Sequence, residues 1–262
     1  MIIPSWRKSP IQMMGILNLT PDSFSDGGRW SDADSAVKHA LEMIDQGADI
    51  IDIGAESTRP GFTPVPEEEE WARLEPVLSA LIPSIDVPIS VDTMKPKVAE
   101  RCISKDVGYI NDVNGLRADG MMEVCSQGDV KVVISHMHGS PLETHSSKMG
   151  ADYREVIRRF LDGQCSRAIE VGISEKNLIV DPGVGFGKTM EQNMEIVKDL
   201  SFLGGDHPIL VGVSRKRFLK TFYPDEDIDE VTAKVSSIAA HSGASILRVH
   251  DVAKTVGYLM NE

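Results

Sequence analysis

Eight short apolar runs in this chain end on, or contain, side chains able to take part in chemistry. Asn18 closes the first run, Asp52 interrupts the second, and Asp92 with Thr93 ends the third. Asn111 and Asp112 lie in the fourth, Ser135-His136-Met137-His138 ends the fifth, and Asp181 ends the sixth. Ser214-Arg215-Lys216 closes the seventh, and Arg248 and His250 stand at the end of the eighth. Helix capping and loop solvation account for Thr93, Asn114 and Asp251. They do not account for Asp, Asn, Lys and Arg set within apolar runs, because burying such groups unpaired is costly. A single site on which they converge does. Carboxylates there can accept paired N–H donors and stabilise positive charge as it develops, while the cations can hold an anion. No Ser–His–Asp or Cys–His arrangement is legible among them.

Three tempting motifs fail. The string Pro182-Gly-Val-Gly-Phe-Gly-Lys-Thr189 approximates the phosphate loop G-x-x-x-x-G-K-[ST], but Pro182 stands where the first Gly belongs. It also falls on the sixth unit of the chain, not near the start of a nucleotide fold. His136 and His138 are spaced as a metal pair, yet hydrolase barrels usually carry such a pair on the first strand. A hydrogen-bonded loop role fits better. No G-x-G-x-x-G follows the first run, which removes the dinucleotide fingerprint.

The elements that must position these groups alternate. Strands are expected at Met13–Leu17, Ile50–Ile53, Ile89–Val91, Tyr109–Val113, Val132–Ile134, Leu178–Val180, Ile209–Val213 and Ser245–Val249. Most are continuous apolar runs, as in parallel sheets covered by helices on both faces. Between them lie helical patterns. Val37, Ala40, Leu41 and Ile44 follow a cap at Ser31, and Trp71, Leu74, Val77, Leu78 and Leu81 follow the solvated turn Glu67–Glu70. A long amphipathic helix covers 152–171. Asp229 is expected to cap a helix ending at His241, and Asp251 one ending near Met260. Eight βα units without a linker or a break in composition predict an α/β fold, a (β/α)8 TIM barrel, as one domain over residues 1–262. A doubly wound open sheet alternates in the same way, and periodicity alone does not separate the two.

Composition narrows the partners. Of 262 residues, 41% are hydrophobic, enough to fill a barrel and the layer under its helices. The net charge of −13 disfavours nucleic acid and leaves an anionic small substrate possible only where cations are gathered locally. Three cysteines without zinc spacing read as reduced thiols of a cytoplasmic protein. No apolar run approaches the roughly 20 residues needed to span a bilayer, and the N-terminus does not read as a signal peptide.

The stretches Gly15-Ile-Leu-Asn-Leu-Thr-Pro-Asp-Ser-Phe-Ser-Asp-Gly-Gly28 and Asp52-Ile-Gly-Ala-Glu-Ser-Thr-Arg-Pro-Gly61 closely resemble the two signature stretches of the dihydropteroate synthase family. Val91-Asp-Thr, Asn111-Asp-Val, Asp181-Pro-Gly-Val-Gly-Phe-Gly-Lys, Ser214-Arg-Lys and Arg248-Val-His-Asp also match, in order, so the resemblance covers nearly the whole chain. It implies a Mg2+-dependent, homodimeric (β/α)8 enzyme. This enzyme would join 7,8-dihydropterin-6-ylmethyl diphosphate to 4-aminobenzoate and release diphosphate by an SN1-like displacement. Asp92, Asn111, Asp181, Lys216 and Arg248 would bind the pterin, with Asp92, Asp181, Lys216 and Arg59 serving the chemistry. Asn18, Arg59, Arg248 and His250 would hold the diphosphate, with Asn18 also on the metal. Phe24, Thr58, Pro60 and Ser214 would hold the aminobenzoate, whose pocket sulfonamides would contest. Ser135 departs from the Met that many relatives carry there, which implies a looser pterin wall but no contact with a group assigned to chemistry. Two rivals share the pterin floor. One is a methyltransferase barrel passing a methyl group from methyltetrahydrofolate to a corrinoid; the other is a non-catalytic pterin-binding paralogue. The methyltransferase would not need the Thr58-Arg59 loop, Lys216 or a cationic diphosphate site, and a paralogue would be signalled by loss of the Mg2+ or strand 7–8 residues, whereas Asn18, Lys216, Arg248 and His250 are all present.

Overall fold

The structure is a computed structural model, and it describes residues 11–19, 29–56, 63–144, 146 and 148–261, with the side chains of 29–32 left aside. The expected Phe24, Thr58, Arg59 and Pro60 lie outside the described residues.

Eight strands alternate with helices: β1 (Gln12–Asn18), β2 (Ile50–Gly54), β3 (Ile89–Asp92), β4 (Tyr109–Asp112), β5 (Lys131–Ser135), β6 (Leu178–Asp181), β7 (Leu210–Val211) and β8 (Ile246–Val249). All pairs are parallel, in the order β6-β5-β4-β3-β2-β1-β8-β7. The ends meet through a parallel bridge between Val180 and Ile209 and the bond from Val180 N to Pro208 O at 3.0 Å. That contact closes the barrel and decides against the open sheet. The seventh strand is shorter than its expected span of 209–213, because the chain turns at Ser214 and Arg215, the latter at φ 58°.

Around the sheet lie α1 (Arg29–Asp45), α2 (Glu67–Leu81), α3 (Pro96–Ile103), α4 (Met121–Ser126), α5 (Tyr153–Val171), α6 (Met190–Lys198), α7 (Arg217–Phe222), α8 (Ile228–His241) and α9 (Val252–Met260). Two capping expectations need correction. The first helix begins at Arg29, which puts Ser31 inside it. The eighth is capped by Asp227, whose carboxylate accepts from Asp229 N and Glu230 N, so Asp229 is a first-turn residue. Asp251 does cap the last helix, accepting from Lys254 N at 2.9 Å.

Strand side chains alternate between two faces, and the core divides accordingly. Met13, Leu17, Ile51, Ile53, Val91, Ile110, Val132, Ile134, Val180 and Leu247 pack outward under the helices. Met14, Ile50, Tyr109, Val133, Ile179, Leu210 and Ile246 form a separate cluster that plugs the barrel interior. Two residues further along each strand, the same inward face carries Ile16, Asp52, Asn111, Ser135, Asp181, Gly212 and Arg248. The third strand adds Ser90 and then Asp92 on this face. The barrel interior is therefore apolar below and polar above, and the change falls at the C-terminal strand ends, where barrel enzymes place their chemistry.

Candidate active site

The polar layer is organised by Arg248. Its Nε donates to Asp52 Oδ2 at 2.5 Å and its Nη2 to Asp92 Oδ2 at 2.8 Å. Asn111 Nδ2 donates to the same Asp52 oxygen at 3.3 Å. Burial alone would lower the Arg248 pKa; Asp52 and Asp92 more than reverse this and raise it. Burial pushes Asp92 up to about 7, against the pull of Arg248. Asp52 Oδ1 and Asn111 Oδ1 are buried without a hydrogen-bond partner. Orphaned buried acceptors are costly, so both are suited to a ligand with N–H donors.

Asp181 stands across this layer. Its Oδ1 accepts Gly183 N at 2.7 Å and its Oδ2 accepts Ser135 Oγ at 3.2 Å. A carboxylate has about four acceptor positions, so two remain, one on each oxygen. Gly183 has φ 69°, and a Cβ there would lie 1.8 Å from His136 O, so only glycine permits this turn. The Gly-rich stretch after β6 is a backbone cradle, not a nucleotide phosphate loop. Its Lys188 is fully buried, with Nζ 2.9 Å from His136 Nδ1, 3.1 Å from Phe186 O and 3.3 Å from His136 O. Burial drives Lys188 well below the usual lysine range and His136 down to about 2. His136 has the hydrogen-bonded loop role expected of it. Among the described residues, no group of three or more His, Cys, Asp or Glu is arranged to hold a metal.

Lys216 reaches over from the end of β7. Its ammonium donates to Val184 O and lies 4.9 Å from the centre of the Phe186 ring. Burial lowers it to about 8, opposed by Asp181 and Asp92. At the rim, His250 Nδ1 pairs with Ser214 Oγ at 2.8 Å, and His250 Nε2 lies 3.5 Å from Asn18 Nδ2. A Cβ on Gly54 would stand 3.8 Å from Asp92 Oδ2 and 3.9 Å from Asn18 Oδ1, so the glycine keeps that space open.

The structure thus brings Asn18, Asp92, Asn111, Asp181, Ser214, Lys216, Arg248 and His250 to one end of the barrel. Asp112 turns away: its carboxylate accepts Asn114 N at 2.8 Å and Leu116 N at 2.9 Å and shapes the turn after β4. Asp52, central to the layer, received no role from sequence reasoning. The signal that singled out Asp92, a carboxylate inside an apolar run, was equally present in Ile50-Ile51-Asp52-Ile53. Ser135 needs the opposite correction: it bonds Asp181, one of the residues expected to serve the chemistry.

Residues 14–250 match the family model described as pterin binding enzyme. The dihydropteroate synthase of Clostridium beijerinckii is 42% identical over 248 residues, covering 92% of this chain and 88% of that relative. Among solved structures, Xanthomonas albilineans dihydropteroate synthase with 4-aminobenzoic acid superposes with a TM-score of 0.89 at 40% identity, covering 96% of this chain and 91% of that one. A Yersinia pestis dihydropteroate synthase with a sulfonamide drug complex gives 0.89 at 40% identity, with 96% and 92% covered.

Proposed function

The chain belongs to the pterin binding enzyme family, and from that premise we infer that it is a dihydropteroate synthase. It joins 7,8-dihydropterin-6-ylmethyl diphosphate to 4-aminobenzoate and releases diphosphate. Relatives named for that activity over about nine-tenths of the chain displace the methyltransferase reading. The observation that carries the reading is the polar layer itself, in which Asp52, Asp92 and Asp181 are gathered with Arg248 and Lys216 at one end of the barrel.

Each role follows from an atom with capacity to spare. Asp181 accepts the 2-amino group and the adjoining ring N–H of the pterin on the positions that Gly183 and Ser135 leave open. Asn111 Oδ1 and Asp52 Oδ1, buried without partners, accept further ring N–H groups. Lys216 swings from Val184 O to the pterin carbonyl. As the bond from the methylene carbon to diphosphate breaks, positive charge spreads into the conjugated ring, and Asp92 and Asp181 stabilise it. This favours an SN1-like path. The aromatic amine is neutral at pH 7, attacks through its lone pair, and needs no dedicated base.

Asn18 and His250 hold the diphosphate end, with Arg59, which follows β2 in sequence. The donor set suits Mg2+. Its one protein ligand here would be the amide oxygen of Asn18 beside the space over Gly54, and phosphate oxygens and water would complete an all-oxygen shell. When bound, the ion neutralises charge on the leaving diphosphate. Phe24, Thr58, Pro60 and Ser214 are proposed for the aminobenzoate. A homodimer in the cytoplasm completes the proposal, as the resemblance implies; among the described residues no helix is long and apolar enough to cross a membrane.

The test is to mix the purified protein with pterin-methyl diphosphate, Mg2+ and 4-aminobenzoate and assay diphosphate, omitting each component in turn. Dependence on all three is expected. Pterin binding without diphosphate release would mark a non-catalytic paralogue and overturn the reading.

A further inference from the structure

The Gly-rich stretch after β6 ends on a buried lysine that the mechanism does not use. Lys188 is 1% exposed, and its Nζ lies within bonding distance of His136 Nδ1, Phe186 O and His136 O. A lysine nitrogen has three positions beyond its own carbon, and these three partners take them. Nothing is left for a phosphate, which the lysine of a nucleotide loop must reach. Burying an amine is costly unless it is fully bonded. Here the bonding joins two segments: His136, which follows β5, and the turn 182–187, which follows β6.

The turn depends on bonds from outside. Gly183, Gly185 and Gly187 have positive φ, at 69°, 91° and 69°, and glycine has little conformational preference of its own. His136 N donates to Asp181 O at 2.9 Å, and His136 O is the atom that a Cβ on Gly183 would strike. Phe186 N donates to Gly183 O at 3.1 Å, so a hold on Phe186 is passed to Gly183. From the other side, Asn193 Oδ1 accepts Gly185 N at 2.6 Å. The turn held in this way does two things. Gly183 N donates to Asp181 Oδ1 at 2.7 Å, and Val184 O accepts the Lys216 ammonium. Asp181 and Lys216 both bear on the charge of Lys188, in opposite directions, so the three share one neighbourhood.

We propose that Lys188 is a positioning residue for the pterin half of the reaction: by tying Phe186 O to His136, it fixes the turn that aims Asp181 and holds Lys216. It acts through those two residues and not on the substrate. The inference rests on the synthase reading above, which assigns Asp181 and Lys216 to the pterin. His136 is the other half of the tie. An asparagine at that position puts an amide atom close to where Nδ1 stands, and a leucine puts none.

The test compares Lys188→Met, His136→Leu and His136→Asn in the full chain. Calorimetry with a 6-hydroxymethylpterin probe gives pterin affinity, and thermal melts give stability. Lys188→Met and His136→Leu are each expected to weaken pterin binding about tenfold, the equivalent of about 1.4 kcal/mol. Together they should weaken it by little more than either alone, since both break the same tie. His136→Asn should recover most of the loss and stay within about threefold of wild type. Wild-type pterin affinity in Lys188→Met overturns the proposal, because a lysine serving stability alone would move only the melting temperature. A His136→Asn variant that binds as weakly as His136→Leu overturns it too. Should Lys188→Met fail to fold, the His136→Leu and His136→Asn pair decides by the same criteria. The calorimetry needs no turnover. A wild-type protein that binds the probe but releases no diphosphate refutes the synthase reading instead, so the two failures are distinct.

Discussion

Replacing Arg248 with methionine tests whether the polar layer is held by one cation. The guanidinium bonds Asp52 Oδ2 and Asp92 Oδ2, and Asp52 is wholly buried. Removing one partner of a buried pair costs about 3–5 kcal/mol, because the other charge stays behind unpaired. Here two carboxylates are left, so the upper part of that range is expected. At roughly 2–4 °C per kcal/mol for a chain of this size, the melting temperature should drop by about 8–20 °C. The loss should also depend on pH. Asp92 already sits at about 7, above its unfolded value of about 3.9, and loses its cation in the variant. A carboxylate whose pKa is raised by folding binds protons more readily in the folded state, so stability rises as pH falls through the folded value. The deficit of Arg248→Met relative to wild type should therefore be largest near pH 8 and shrink toward pH 5. Thermal melts at both pH values measure it. A loss below about 1 kcal/mol, equal at pH 5 and pH 8, would show that the two carboxylates do not depend on Arg248, and the account of the site would fail with it.

Asp181→Ala removes the acceptor of two charge-assisted bonds worth about 1.5–3 kcal/mol each, so pterin affinity measured by calorimetry should fall by roughly two to four orders of magnitude. Near-wild-type affinity would refute its role. The pH profile of kcat/KM for the pterin substrate should rise with ionisation of Asp92 near pH 7 and fall with deprotonation of Lys216 near pH 8. In Lys216→Arg the descending limb should vanish even if the rate is lower, and a limb that persists assigns it to another group. Gly183→Ala would place a methyl group 1.8 Å from His136 O, so it should lose pterin binding by displacing the N–H that holds Asp181; unimpaired binding would show that the turn relaxes at little cost.

Much of this architecture was legible because burial on both faces leaves a plain signature in sequence. Seven of the eight strands fall within one residue of their expected bounds, and the seventh shortens by more only where Ser214 and Arg215 turn the chain. The site was legible for a related reason: a carboxylate costs too much inside an apolar run to stand there without a partner. Asp92 and Asp181 were given roles in this way, while Asp52, marked by the same rule, was given none. Its partner, Arg248, lies 196 residues away and meets it only because β8 closes against β1. Ser135 and Lys188 were beyond reach for a similar reason. What each touches is set by the registry of β5 with β6 and by the turn at Gly183, and neither is coded in local pattern. The cap at Asp227, two residues from the expected Asp229, shows the ordinary limit. Both are acidic, and only the direction of the first free N–H groups chooses between them.

The charges of the layer bear on how the reaction can proceed. Asp52, Asp92 and Asp181 face two cations, Arg248 and Lys216, so a fully ionised site carries an excess of one negative charge. With Asp92 held up to about 7, that excess is partly neutralised by a proton before substrate binds. A ground-state dihydropterin is uncharged and gives Asp92 little reason to release it. A pterin methylene becoming cationic does, because positive charge beside a carboxylate lowers its pKa. The site therefore gains most from electrostatics as the carbon–oxygen bond breaks, the condition for raising rate and not only binding. The same carboxylates repel the diphosphate, which in the proposed mechanism is drawn outward to the rim, where Asn18 and His250 stand. Leaving group and cation are thus pulled to opposite ends of one short axis. A direct displacement, with the amine attacking before the bond is broken, would draw much less on this arrangement, since it never develops a full positive charge for the floor to hold.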